Sequence, residues 1–273
     1  MKNQIIKWLL LILAACLLLT ACEHRTVTYE ETQPVETEPT LAVPADGLGR
    51  PVIEPKKGEP KKFTVCVDPG HGFWDGGAGQ LPDGTYLYED QRLEKDITMA
   101  IATKVRDALE LEGFDVILTH DGVTTPAGDT NSNHVYSIDE RCVAVNQTNV
   151  GYFISIHADY SEEDSVYGIR LYHMQHERKI NDHAAAYAEA IAASIREKMT
   201  GEDPQLVDQT NDIYNSFAAV RETKMPAVLI EVGFISNEAD RAKVVSEDWQ
   251  QQFAEAVAAG VTKAYESLGE DHA

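Results

Sequence analysis

The sequence has 273 residues, of which 45 are Asp or Glu and 23 are Lys or Arg, a formal net charge of −22. That balance excludes partners that are themselves held by positive charge, nucleic acid first and anionic lipid surfaces next, because close approach would add repulsion. It does not identify a substrate.

Lys2 and Lys7 precede an apolar run from Trp8 to Leu19 that is short for a membrane span. A positive head, an apolar middle and a small-residue exit read as an export signal over 1–21. The exit Leu19-Thr20-Ala21-Cys22 resembles the lipobox of bacterial lipoproteins. The resemblance implies cleavage before Cys22 and a lipid on its thiol and new amino group. The expected location is therefore the outer face of the cell membrane, with the bilayer as a partner. From 22 to 60 the chain is rich in Thr, Glu and Pro and poor in apolar runs, so it reads as a disordered tether. Residues 61–269 remain as one domain, expected to act as a monomer, followed by a short tail at 270–273. Cys16 falls in the signal, which leaves Cys66 and Cys142 in the folded part. Their spacing matches no thiolate metal motif, and they read either as a disulfide or as two core thiols.

Within the domain, Lys61 to Asp68 reads as a strand with Phe63, Val65 and Val67 on one face, broken at Pro69-Gly70. A Gly-rich loop from Gly72 to Arg92 leads to a helix whose Ile97, Ile101, Val105 and Leu109 form one stripe. Glu112-Gly113 ends that helix, and Phe114 to Thr119 returns as a strand. After a polar loop from His120 to Tyr136, Ser137 and Glu140 have the spacing of a capping box and open a short helix through Val145. Tyr152 to Ile156 is apolar on both faces, as in the interior of a parallel sheet, and Tyr167 to Tyr172 reads as a further strand. A longer helix places Ile180, Ala184, Tyr187, Ile191, Ile195 and Met199 on one side. A polar loop, a short strand from Phe217 to Val220 and a clear one from Pro226 to Glu231 follow. Trp249, Phe253, Val257, Val261, Ala264 and Leu268 mark the last helix. Strands alternating with helices of this length predict a single α/β domain with a mostly parallel central sheet flanked by helices.

Sites in such sheets form at the C-terminal ends of the strands. Three strands carry ionisable groups there: Asp68 with His71, His157 with Asp159, and Glu231, while Glu94 lies just before the first helix. Two imidazoles and a carboxylate are a standard donor set for catalytic zinc, with one position left for water or substrate. A second carboxylate can then serve as base and acid. The residue types alone leave open which carboxylate takes which role.

Four strings bear on that choice: Val67-Asp68-Pro69-Gly70-His71-Gly72, Leu93-Glu94-Lys95-Asp96, Ser155-Ile156-His157-Ala158-Asp159 and Glu231-Val232-Gly233-Phe234-Ile235-Ser236-Asn237. In this order, across about 63–268, they resemble the zinc-dependent N-acetylmuramoyl-L-alanine amidases of the AmiC/CwlV-like family. The resemblance implies that His71, Glu94 and His157 bind Zn2+ and that Glu231 is the catalytic acid/base. It further implies hydrolysis of the amide between the lactyl carboxyl of N-acetylmuramic acid and L-alanine, with peptidoglycan glycan and stem peptide as partners. Departures fall in loops: Phe73 follows Gly72 where the family often has Gly, and His120 follows Thr119 where it often has Arg.

Other residues carry two readings each. Asp68 either orients His71 or caps the turn at Pro69, and Asp159 is equally ambiguous. Arg141 either binds a substrate carboxylate or pairs with a neighbouring acid. Trp74, Tyr86 and Tyr88 either line a sugar or peptide cleft or cover a sheet edge, and His173 and His176 are expected at the surface. The loops at 73–92 and 120–136 either bind glycan or cover the metal, the latter calling for a regulatory protein partner. A serine nucleophile elbow, an HExxH helix and a phosphate loop are all absent from the sequence. Two rival functions remain: a zinc peptidase cutting another peptide bond, and a catalytically silent lipoprotein that binds peptidoglycan or regulates a partner hydrolase.

Overall fold

The computed structural model describes residues 63–79, 86, 92–122, 137–175, 183–212 and 214–268. The expected signal, Cys22, the tether, Tyr88, Ile180, His176 and the tail lie outside them. Among the described residues no helix is long and apolar enough to cross a membrane. The elements run β1 (Thr64–Pro69), α1 (Glu94–Leu111), β2 (Asp115–Leu118), α2 (Ile138–Val145), β3 (Val150–Asp159), β4 (Arg170–His173), α3 (Ala184–Lys198), β5 (Gln205–Asp208), α4 (Ala218–Arg221), β6 (Ala227–Phe234), α5 (Glu238–Val244) and α6 (Glu247–Leu268).

Alternation within β1 sets the layers. Val65 and Val67 join one buried cluster and Cys66 another, so the strand is covered on both faces. The first cluster holds Ile97 and Ile101 of α1, Tyr187 and Ile191 of α3, and Phe253 and Val257 of α6. The second is closed by Val145 at the end of α2 and by Ala219 and Val220 of α4. The sheet between them has the order β2-β1-β3-β6-β4-β5. β2, β1, β3 and β6 run parallel, and β4 reverses against β6 and is joined by β5. This is the α/β domain with a mostly parallel sheet that the sequence predicts.

Local chemistry accounts for the element ends. The α2 capping box forms as expected, with Glu140 N donating to Ser137 Oγ at 3.3 Å and Ser137 N donating to Glu140 Oε2 at 2.9 Å. Gly113 takes φ 88 after α1, where a side chain would be strained, and Phe114 N donates back to Leu109 O. In α6, a Cβ on Gly260 would stand 2.5 Å from Ile191 Cα, so this glycine lets α6 and α3 approach backbone to backbone.

Several expectations are corrected. Phe217–Val220 is not a strand: Ala218–Arg221 forms one helical turn, its Ala219 carbonyl accepting from Thr223 Oγ1 at 2.9 Å. β5 lies where a polar loop was expected, a four-residue edge strand with no fully buried side chain. Cys66 and Cys142 are buried free thiols rather than a disulfide, and burial pushes Cys142 up to about 12. His173 is 7% exposed, not at the surface. Finally, β3 and β6 run further than expected, so His157 lies within a strand rather than after it, and Glu231 lies inside its strand rather than at its last residue.

Candidate active site

Strand β1 delivers the chain to a tight turn in which Gly72 N and Asp75 O, and Asp75 N and Gly72 O, pair at 3.0 Å. To make it, His71 and Phe73 adopt φ of 62 and 54, in the left-handed region that non-glycine residues seldom enter. The turn brings Asp75 back to His71, whose Nδ1 lies 2.8 Å from Asp75 Oδ2. With that nitrogen engaged, Nε2 faces Glu94 Oε2 at 3.0 Å.

Glu94 is the first residue of α1 rather than a loop residue before it. The other carboxylate oxygen, Oε1, lies 3.0 Å from His157 Nδ1. Backbone donors fix both oxygens: Ala78 N reaches Oε2 at 2.8 Å and Ala158 N reaches Oε1 at 3.0 Å. Burial by itself would raise the proton affinity of Glu94, but His157 and His71 outweigh it and hold the carboxyl well below its usual range. For His71 burial disfavours the charge, yet Asp75 and Glu94 raise its pKa to about 10.

Two glycines make room for this cluster. A Cβ on Gly70 would stand 2.6 Å from the His157 ring and from Ile156 O. A Cβ on Gly77, itself at φ 67, would stand 2.5 Å from Glu94 Oε2. Ligand atoms of His71, Glu94 and His157 lie within 4.8 Å of one another. Two imidazole nitrogens and a backbone-braced carboxylate suit a borderline cation such as zinc.

Glu231 stands beside the cluster, paired across the sheet with His157 of β3. It is 5% exposed, and its Oε2 has no hydrogen-bond partner within the described residues. Burial, then repulsion from Glu94 and Asp159, pushes its pKa well above the usual carboxylate range. A buried carboxyl with an unpartnered oxygen is costly unless substrate chemistry uses it.

Asp68 takes neither expected role. Its carboxylate is fully buried, receiving Arg141 Nε at 2.7 Å and the Thr119 and Ser155 hydroxyls at 2.6 Å each. Burial opposes the charge, but Arg141 and the two hydroxyls keep it below its usual range. Arg141 thus serves the framework beneath the site, tying β1 to α2. His120 also turns inward, with Nε2 2.9 Å from Pro69 O and its ring against Phe73. The residue that orients His71 is Asp75. A carboxylate four positions after a ligand-type histidine was the available signal, though the turn that joins them has no sequence signature. Trp74 and Tyr86 are exposed, at 63% and 46%.

The model of the N-acetylmuramoyl-L-alanine amidase family matches residues 65–263, most of the chain and every element that builds the cluster. The chain belongs to that family. Hydrolysis of a peptidoglycan amide follows from membership. The YqiI protein of Bacillus subtilis, described as uncharacterized, is 28% identical over 204 residues, covering 74% of this chain and 85% of that protein. LytH of Staphylococcus aureus, described as a probable cell wall amidase, is 28% identical over 198 residues. That match covers 72% of this chain but 57% of LytH. Among solved structures, the amidase AmiC2 of Nostoc punctiforme superposes with a TM-score of 0.57 at 27% identity, covering 74% of this chain and 96% of that one.

Proposed function

We propose that the chain is a zinc-dependent N-acetylmuramoyl-L-alanine amidase that cuts the bond between the lactyl carboxyl of N-acetylmuramic acid and the L-alanine of the stem peptide. The observation that carries this reading is the convergence of His71, Glu94 and His157 beside the buried, unpartnered carboxyl of Glu231. His71 and His157 would hold the ion through nitrogen and Glu94 through oxygen. Zinc held there supplies Lewis acidity, polarising a carbonyl and lowering the pKa of water.

The chain's own residues do the rest. Asp75 fixes the His71 ring and Ala78 and Ala158 fix Glu94, so the donor set is organised before any ion arrives. Glu231, ionised, takes a proton from the attacking water. The hydroxyl adds to the lactyl carbonyl carbon, the carbon–nitrogen bond breaks, and Glu231 returns the proton to the departing alanine nitrogen. Its raised proton affinity suits the second half of this cycle.

The same proposal includes a chain exported by its first 21 residues, lipidated at Cys22 and tethered by 22–60 on the extracytoplasmic face of the membrane. The domain from 61 to 269, acting as a monomer, would then reach peptidoglycan from the membrane surface. The deciding experiment incubates the full zinc-loaded chain with purified peptidoglycan fragments and identifies products by mass spectrometry. Stem peptides beginning with free L-alanine, absent after chelation, are the expected result. Cleavage at another bond would overturn the substrate assignment, and no cleavage by a metallated protein would overturn the enzyme.

A further inference from the structure

One row of the sheet extends beyond the residues used so far. His157 of β3 pairs with Glu231 of β6, and Glu231 pairs with Arg170 of β4. Directly paired residues share a face, so a ligand nitrogen, the acid/base carboxyl and a guanidinium lie side by side across three strands. Adjacent strands are about 4.8 Å apart, which places Arg170 one strand beyond Glu231 on the side away from the histidines.

The guanidinium is held without being tightly neutralised. Its carbon sits 4.6 Å over the Phe234 ring. A β-bulge makes this possible: between the pairs His157–Glu231 and Asp159–Phe234, β6 spends one residue more than β3, which brings Phe234 to this side. The neighbouring Asp159 carboxylate is 3.9 Å from Nη1, beyond hydrogen-bonding distance. About a third of the Arg170 side chain remains exposed. Its surroundings are otherwise acidic, with Glu94, Asp159 and Glu231 at the same rim of a chain of net charge −22. An anionic substrate needs a cation here to approach at all.

We infer that Arg170 sets substrate specificity by binding a carboxylate on the leaving peptide, through the paired N–H donors of its guanidinium. The inference rests on the amidase reading for its direction. Glu231 returns its proton to the departing nitrogen, so the leaving peptide lies on the Glu231 side of the ligands, and Arg170 is the next group along. A planar fork over an aromatic face suits a carboxylate better than an ammonium would.

Two measurements on the full zinc-loaded chain test it. Calorimetric binding of the dipeptide alanyl-glutamate and of the same dipeptide with both carboxyls converted to amides compares carboxylates with their neutral isosteres and requires no catalysis. Kinetics on muramoyl derivatives of the same two dipeptides gives the corresponding KM ratio. The expected wild-type preference for the acidic form is on the order of tenfold, as for a charge-assisted pair. Arg170→Met, which keeps an apolar contact with Phe234, should bring both ratios toward one, and Arg170→Lys should restore part of the preference. Wild-type indifference to the carboxylate in both measurements, or equal losses on both forms in Arg170→Met, would overturn the inference. Discrimination between the dipeptides with no hydrolysis of either derivative would leave Arg170 its role and sink the amidase reading. Hydrolysis without discrimination would do the reverse.

Discussion

Glu94 and Glu231 are the same side chain at one rim of one sheet, yet their surroundings drive their proton affinities in opposite directions. Glu94 receives two backbone N–H groups and two imidazoles, while Glu231 has burial and like charge around it. Carboxyls separated in this way commonly divide labour, one holding charge and the other moving protons. Replacing Glu231 with Gln should leave zinc content near that of the native chain and lower kcat by about 100- to 10,000-fold, the usual contribution of a positioned acid/base. Metal analysis beside turnover on a peptidoglycan fragment checks the split, and retained turnover would remove Glu231 from the mechanism. Asp75→Asn tests the other side of the site. It keeps the shape but weakens the acceptor for His71 Nδ1, so zinc affinity should fall about 10- to 100-fold. Competition with a chelator of known affinity measures it, and native affinity would show that the turn alone orients the ring. His71 and His157 are legible in the sequence as polar groups that follow apolar strands, whereas Glu94 is singled out as their carboxylate partner by the family resemblance of its string. Asp75 is legible in neither way, since its role depends on positive φ at His71 and Phe73, two residues that do not favour it.

At the scale of elements, legibility follows burial. The α1 stripe Ile97, Ile101, Val105 and Leu109 is buried throughout, and a period-of-four pattern is its direct imprint. β5 leaves no such imprint, because an edge strand of four half-exposed or exposed residues has no apolar face to repeat. α5 is not among the expected elements: it has no apolar stripe, and it opens on a cap in which Asp240 N donates to Asn237 Oδ1 at 3.0 Å. Helix–helix spacing is a third kind of information, carried in α6 by the absence of a side chain. Gly260→Ala sets two effects against each other. Helix propensity favours Ala over Gly by roughly 1 kcal/mol, whereas a Cβ 2.5 Å from Ile191 Cα forces α6 away from α3. Overpacking typically costs about 1–3 kcal/mol, so the net result should be a loss of stability. Chemical denaturation of the metal-free protein reads it directly, and a gain would mean that the α3–α6 contact yields readily.

Over the whole molecule, the metal cluster couples stability to pH, and the sign differs with metal content. In the metal-free protein the raised pKa of His71, about 10, means that its pairing with Asp75 and Glu94 stabilises fully below the unfolded value of about 6.5 and is lost as pH rises toward 10. Glu94 and Asp75 are shifted down, so their contribution is present above their unfolded values near 4 and lost on acidification. The joint contribution of these three groups is therefore greatest on the acid side of neutrality, above the unfolded carboxylate values and below the unfolded imidazole value. Zinc requires the imidazoles deprotonated, so its added stabilisation should grow with pH over the range in which the metal-free protein weakens. At a free concentration 100 times the dissociation constant that increment is about 2.7 kcal/mol. Melting curves with zinc and with chelator, from pH 5 to pH 9, should therefore diverge as pH rises. Parallel curves would mean that the His71–Asp75–Glu94 charges do not contribute to the fold, and a gap that narrows with pH would contradict binding through neutral imidazoles.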